Sequence, residues 1–157
     1  TGPIVYQICG KNFDEKQSSS FDSWWDICGD WYEKRNITKE EFKTFKLSNG
    51  FNTGDIIVLK GTEPNDLDAG DIIVYWSSAR PDPIIHRVVT RSQDNEIYFQ
   101  TKGDHNEVMH SFESKIKAEK IIGKAWIRIP YLGYIKIVFV KLLQITHITD
   151  LVQWIRG

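Results

Sequence analysis

The chain has 157 residues, a formal net charge of -1 and a hydrophobic share of 41%. That bounds it at one globular domain, or one domain with an embellishment, large enough to bury a core. The near-neutral charge leaves no electrostatic footprint for nucleic acid, no apolar run reaches bilayer length, and no signal-peptide pattern opens the chain.

Residues 1–9 begin with Thr1-Gly2-Pro3 and lead into a short apolar stretch, Ile4-Val5-Tyr6. Residues 10–20 are polar and serine-rich, which predicts a loop. Phe21, Trp24, Trp25, Cys28, Trp31 and Tyr32 then recur at helical spacing, with Ser20 as N-cap and Gly29 as an interruption. An aromatic stripe of this kind is read first as a packing face. The other reading is a surface that dips into lipid, where Trp is favoured. Thr38-Lys39-Glu40-Glu41 has the capping-box pattern and predicts a second short helix carrying Phe42 and Phe45, ended by Asn49-Gly50. Residues 10–50 thus read as a mostly helical insertion ahead of a sheet. Asn36-Ile37-Thr38 is also a glycosylation sequon, a pattern common by chance.

From residue 54 the period changes. Runs rich in β-branched residues fall at 55–60, 71–76, 84–90, 96–101, 121–129 and 134–140, separated by turn signals such as Pro81-Asp82-Pro83 and Asp94-Asn95. The pattern predicts a mainly β, antiparallel domain with its core at 51–140. Residues 107–120 are polar, a loop with a helical turn. The tail, 141–157, is apolar but broken by charges, and Thr149 could cap a short helix that docks on the domain or rests on a membrane surface.

The strand Ile84-Ile85-His86-Arg87-Val88-Val89 holds the residue of most chemical interest. Alternation puts Ile84, His86 and Val88 on one face and Ile85, Arg87 and Val89 on the other. On this stretch alone His86 reads as a satisfied core histidine. Three downstream segments change the weighting: Lys102-Gly103-Asp104-His105-Asn106, then Gly123-Lys124, then Ile129-Pro130-Tyr131-Leu132-Gly133-Tyr134.

With Gly54-Asp55 and Gly70-Asp71 ahead of them, these segments resemble, in order and spacing, the type I signal peptidases of archaea and of the eukaryotic endoplasmic reticulum. The likeness covers roughly residues 51 to 136. It implies a signal-peptidase-like β domain of a membrane-associated serine endopeptidase that removes signal peptides from preproteins on the extracytoplasmic side. Its partners would be signal peptides and the membrane surface, without nucleic acid and without a cofactor. Pro3 looks like the end of the family's Ser-Met-x-Pro, so the serine nucleophile is expected just upstream of Pro3 rather than within these residues. The histidine of Ile-His-Arg-Val is the family's general base, which assigns that role to His86. Bacterial relatives place a lysine there, and this strand has none.

Serine-based hydrolysis needs one group to take the hydroxyl proton and return it to the leaving amine, and a carboxylate behind it to fix the tautomer. The resemblance offers Asp104 as that carboxylate. Its plainer role is a turn residue bonded to its own backbone. The family's second acidic position, six residues on, is His110 here. Asp104 is therefore the choice, with Glu113 a poor substitute, and Arg87 is read as structural. Ile56, Val58, Ile72, Val74 and Ile84 are the candidates to line small pockets for an extended substrate. Ser77, Ser78 and Ser111 read as solvated, and Thr1 as an N-terminal nucleophile looks accidental. His105, His110 and His147 lack metal-ligand pairing, so no metal is expected. Cys9 and Cys28 are the only cysteines. They would be buried thiols in a reducing compartment, and the extracytoplasmic setting implied by the resemblance favours a bridge.

Two other functions remain in view. One is a catalytically silent β domain that binds peptides or a membrane partner. The other is a self-cleaving repressor of the same sheet family, against which stand the missing lysine base and the absence of a DNA-binding segment. The role of the 10–50 insertion is left open by the resemblance.

Overall fold

A computed structural model describes residues 6–13, 20–52, 54–135, 138–139 and 141. Pro3 and most of the 141–157 tail lie outside them. Two antiparallel strands open the described chain, β1 (Tyr6–Ile8) and β2 (Lys11–Phe13). Helices α1 (Phe21–Glu33) and α2 (Lys39–Thr44) come next. Each starts where its capping residue predicts: the Ser20 hydroxyl accepts from the Ser23 N–H at 3.1 Å and the Thr38 hydroxyl from the Glu41 N–H at 3.2 Å. Gly29 does not interrupt α1. It gives room for the Trp25 ring, which a side chain at that position would strike.

The main sheet holds β3 (Ile56–Lys60), β4 (Ile72–Tyr75), β5 (Ile84–Gln93), β6 (Ile97–Lys102), β7 (Ile116–Lys117) and β8 (Ile121–Ile129). They lie in the order β3-β8-β4-β5-β6-β7, with antiparallel pairs at β4–β5, β4–β8, β5–β6 and β6–β7. The domain is mainly antiparallel β, as the short runs and turn signals predict. The sequence errs at 134–140: residues 132–135, 138–139 and 141 are helical rather than extended. Apolar residues occur there at a spacing that serves either period, and tertiary surroundings decide. Among the described residues no helix is long and apolar enough to cross a membrane.

The chain forms two compact units. The first comprises residues 1–50 and 59–126, and the second residues 51–58 and 127–157. In the second, the motifs Gly54-Asp55 and Ile129–Tyr134 meet: Gly133 N–H donates to the Gly54 carbonyl at 2.8 Å, and the Asp55 carboxylate accepts from the Tyr131 N–H at 3.3 Å and pairs with Arg128 at 3.6 Å. The first unit has two hydrophobic clusters. One gathers Trp24, Trp25, Cys28, Tyr32, Ile37 and Phe42 from the helices with Ile8 and Val89. The other gathers Leu67, Ile73, Tyr75, Ile84, Val88, Phe99 and Ile116. The first settles the aromatic stripe as packing, with Trp24, Tyr32 and Phe42 rings 4.9 to 5.9 Å apart. Strand β5 separates the clusters. Its alternation sends Ile84 and Val88 into the second and Val89 into the first.

Candidate active site

His86 stands on the β5 face shared by Ile84 and Val88, opposite Ile73 of β4. A fully apolar neighbourhood would hold the ring neutral and idle. The fold instead brings a carboxylate to it. Between β6 and β7 the chain makes a tight helical turn at Ser111–Glu113, and this turn delivers Glu113 beneath the strand. One Glu113 oxygen, Oε1, contacts His86 Nδ1. The other, Oε2, accepts the His110 backbone N–H at 2.7 Å. Glu113 is 0% exposed and the His86 side chain 19%. Burial pushes the Glu113 carboxyl up. The hydrogen bonds from His86 and from the His110 N–H, with the His86 charge, outweigh it and hold the group below its ordinary value. Glu113 is thus an acceptor at neutral pH, which selects the His86 tautomer with its proton on Nδ1. His86 Nε2 makes no hydrogen bond among the described residues, and beside it lies Gly103, where an added Cβ would stand 2.7 Å from that nitrogen. Behind the pair, the Tyr75 hydroxyl bonds Thr101 Oγ1 at 2.9 Å. Burial raises that phenol to about 12, against the Thr101 bond, so it stays protonated.

Asp104 sits elsewhere. The register that sets Arg87 opposite Lys102 turns both side chains toward the helices. There the Arg87 guanidinium, 1% exposed, grips Asp104 through Nη2 at 2.7 Å and Nε at 3.1 and 3.2 Å. The remaining Arg87 donors reach the carbonyls of Lys46, Leu47 and Gly70. The Tyr32 hydroxyl donates to Asp104 Oδ1 at 2.8 Å. Burial first, then the Asp104 charge and bond, raise the Tyr32 phenol well above its usual range. Lys102, fully buried, points its ammonium at the Trp31 and Tyr32 rings 5.0 and 4.9 Å away and donates to the Gly103 carbonyl at 3.1 Å. Burial lowers it to about 8.

The structure therefore brings His86 together with Glu113 and ties Asp104 to Arg87. Sequence reasoning ranks these carboxylates the other way, because spacing cannot show that the turn at 111–113 folds beneath β5. One signal is present: Glu113 follows His110 at the interval that lets a side chain cap its own turn. Of the pocket candidates, Ile84 is buried in the Val88 cluster, and Ile72 and Val74 pair with Arg87 and Ile85, on the face away from His86. Ile56 is exposed and Val58 half-buried in the second unit. Cys9 and Cys28 are joined by a disulfide. Among the described residues no cluster of metal-ligand side chains is found.

Fold and site define a mainly antiparallel β domain with a buried carboxylate behind a strand-borne imidazole. No protein-family model matches the chain. Among curated proteins it is similar to the human signal peptidase complex catalytic subunit SEC11C, 33% identical over 99 residues, 59% of this chain and 52% of that protein. It is 30% identical over 98 residues to SEC11 of Plasmodium falciparum, 58% of this chain and 52% of that protein. It is 29% identical over 122 residues to SEC11 of Yarrowia lipolytica, 71% of this chain and 70% of that protein. The curated homologues of this chain are thus signal peptidase catalytic subunits, as the ordered motifs imply. The chain spans about half the length of the human and Plasmodium proteins.

Proposed function

We propose that this chain carries the general base of a serine endopeptidase that removes signal peptides from preproteins. The observation that carries the reading is His86 itself: Nδ1 held by a buried, ionised carboxylate and Nε2 left free. An imidazole so held takes a hydroxyl proton on Nε2 and returns it to the leaving amine. Glu113 keeps the proton on Nδ1 and stabilises the imidazolium that forms. The nucleophile in this reading is a serine just upstream of Pro3 in the parent protein. Support comes from the backbone N–H of Cys9, which donates at 2.9 Å to His105 and so brings the chain soon after Pro3 to the turn beside His86. The disulfide supports an oxidising, extracytoplasmic setting. Small-residue cleavage sites of preproteins fit an extended peptide added beside a strand.

The silent-domain alternative draws on His110, where the family resemblance expects a carboxylate. One experiment separates the two. A preprotein with Ala-x-Ala before the cut is incubated with the parent protein and with its His86→Ala variant. The peptidase reading expects cleavage by the parent and a loss of about 10⁴-fold or more in the variant. Full activity of the variant would remove His86 from the chemistry, and an inert but peptide-binding parent would favour the silent domain.

A further inference from the structure

The helical insertion has no counterpart in the motifs that identify the chain, yet it reaches the wall of the candidate site. We propose that Tyr32, carried on α1, is a positioning residue for His86, acting through Asp104 and the Gly103–Asn106 turn. Its catalytic consequence rests on the peptidase reading, whereas the positional claim does not.

The turn is held from both sides. In front, Gly103 packs against the free edge of the His86 ring, and the Asn106 N–H closes the turn on the Gly103 carbonyl at 2.9 Å. Space at His86 Nε2, where a proton would arrive, therefore depends on where this turn lies. Behind, α1 holds the turn at two points. Cys28 and Tyr32 are one helical turn apart and share a face. Cys28 is bonded to Cys9, whose N–H donates to the His105 carbonyl and whose sulfur lies 3.5 Å from the Asp104 carbonyl oxygen. Tyr32 reaches the Asp104 carboxylate directly. Arg87 cannot replace that hold. Its guanidinium fixes the carboxylate from the strand side, while Tyr32 and the Cys9–Cys28 bridge tie the turn to α1. Beside them the Lys102 ammonium donates to the Gly103 carbonyl and rests against the Trp31 and Tyr32 rings without reaching the Asp104 carboxylate. The Tyr32 ring is 0% exposed and wedged against Trp24, Trp25, Trp31 and Phe42, so the hydroxyl has one available direction.

The test is Tyr32→Phe, which keeps the ring and deletes the hydroxyl, beside Trp24→Phe, which disturbs the same cluster without a bond to the turn. The pH titration and tautomer signals of the His86 ring nitrogens are followed by NMR on this chain, and kcat and KM are measured on the parent. Tyr32→Phe is expected to shift the His86 titration and lower kcat about tenfold with KM little changed, the size expected for one lost bond to a charged group. Trp24→Phe is expected to lower the melting temperature and leave the His86 signals in place. Should Tyr32→Phe fail to fold, Cys28→Ser releases the other hold and is expected to move the same signals. If the folded variant leaves the titration and kcat at wild-type values, or if Trp24→Phe moves them equally, the proposal is overturned. A shifted titration in a parent that cleaves no preprotein would end the peptidase reading and leave the positioning role standing.

Discussion

The two faces of β5 carry the same kinds of group and use them differently. On the helix side, Arg87, Asp104 and Tyr32 form a closed network in which each charged group has its donors or acceptors supplied by the protein. On the other side, His86 has one nitrogen bound to Glu113 and the other free. A buried charge left unpaired is costly, so a network whose every member is paired is what structure alone requires. A half-bound imidazole has capacity to spare, and that capacity can act on a substrate. The difference between wired and half-wired separates a structural ion pair from a candidate active site more sharply than residue type does.

The largest effect expected from breaking this contrast is at Glu113. Glu113→Gln keeps the shape and removes the charge that selects the His86 tautomer. In the parent it should lower kcat by about 10³ to 10⁴-fold. Asp104→Asn should instead act mainly on stability, because it leaves the Arg87 guanidinium buried without its carboxylate. Chemical denaturation should show a loss of about 3 to 5 kcal/mol. If Asp104→Asn abolished cleavage without loss of stability while Glu113→Gln was harmless, the roles of the two faces would be reversed.

Reduction of the Cys9–Cys28 bridge comes next. It closes a loop of 19 residues in sequence separation, and its removal should cost about 3 kcal/mol by the loop-entropy argument. Free-thiol titration of the unreduced, denatured chain should find no thiols.

The smallest effect is a slope. Burial lowers Lys102 to about 8, below its unfolded value. Between those values the unfolded chain binds the extra proton, so stability should rise with pH above about 8. The gain should be about 1 to 2 kcal/mol by pH 9.5, at no more than about 1.4 kcal/mol per pH unit for one proton. Lys102→Met should flatten that slope in denaturation curves taken from pH 7 to 9.5. An unchanged slope would mean that the ammonium above the Trp31 and Tyr32 rings is better solvated than its burial implies.

Much of this molecule is legible before folding. Period-two runs bounded by Gly, Pro, Asn and Asp define the strands, because side-chain alternation and turn chemistry are local properties. Ser20 and Thr38 mark the helix starts for the same reason, and the ordered motifs from Gly54 to Tyr134 single out His86. Local rules also separate His86 from Arg87, since adjacent strand residues face opposite ways. What they leave undecided is the partner each side chain meets. Glu113 and Asp104 are both acidic and both downstream of His86, and their distances along the chain say nothing of which lies on its face. The β5–β6 register aims Arg87 and Lys102 at the helices, Asp104 goes with them, and the turn at 111–113 carries Glu113 to the opposite side. Tyr32 is hidden in the same way, since its spacing fits the aromatic stripe and only docking of α1 brings its hydroxyl to Asp104. The tertiary structure decided these pairings because they join residues far apart in sequence, where no local preference acts.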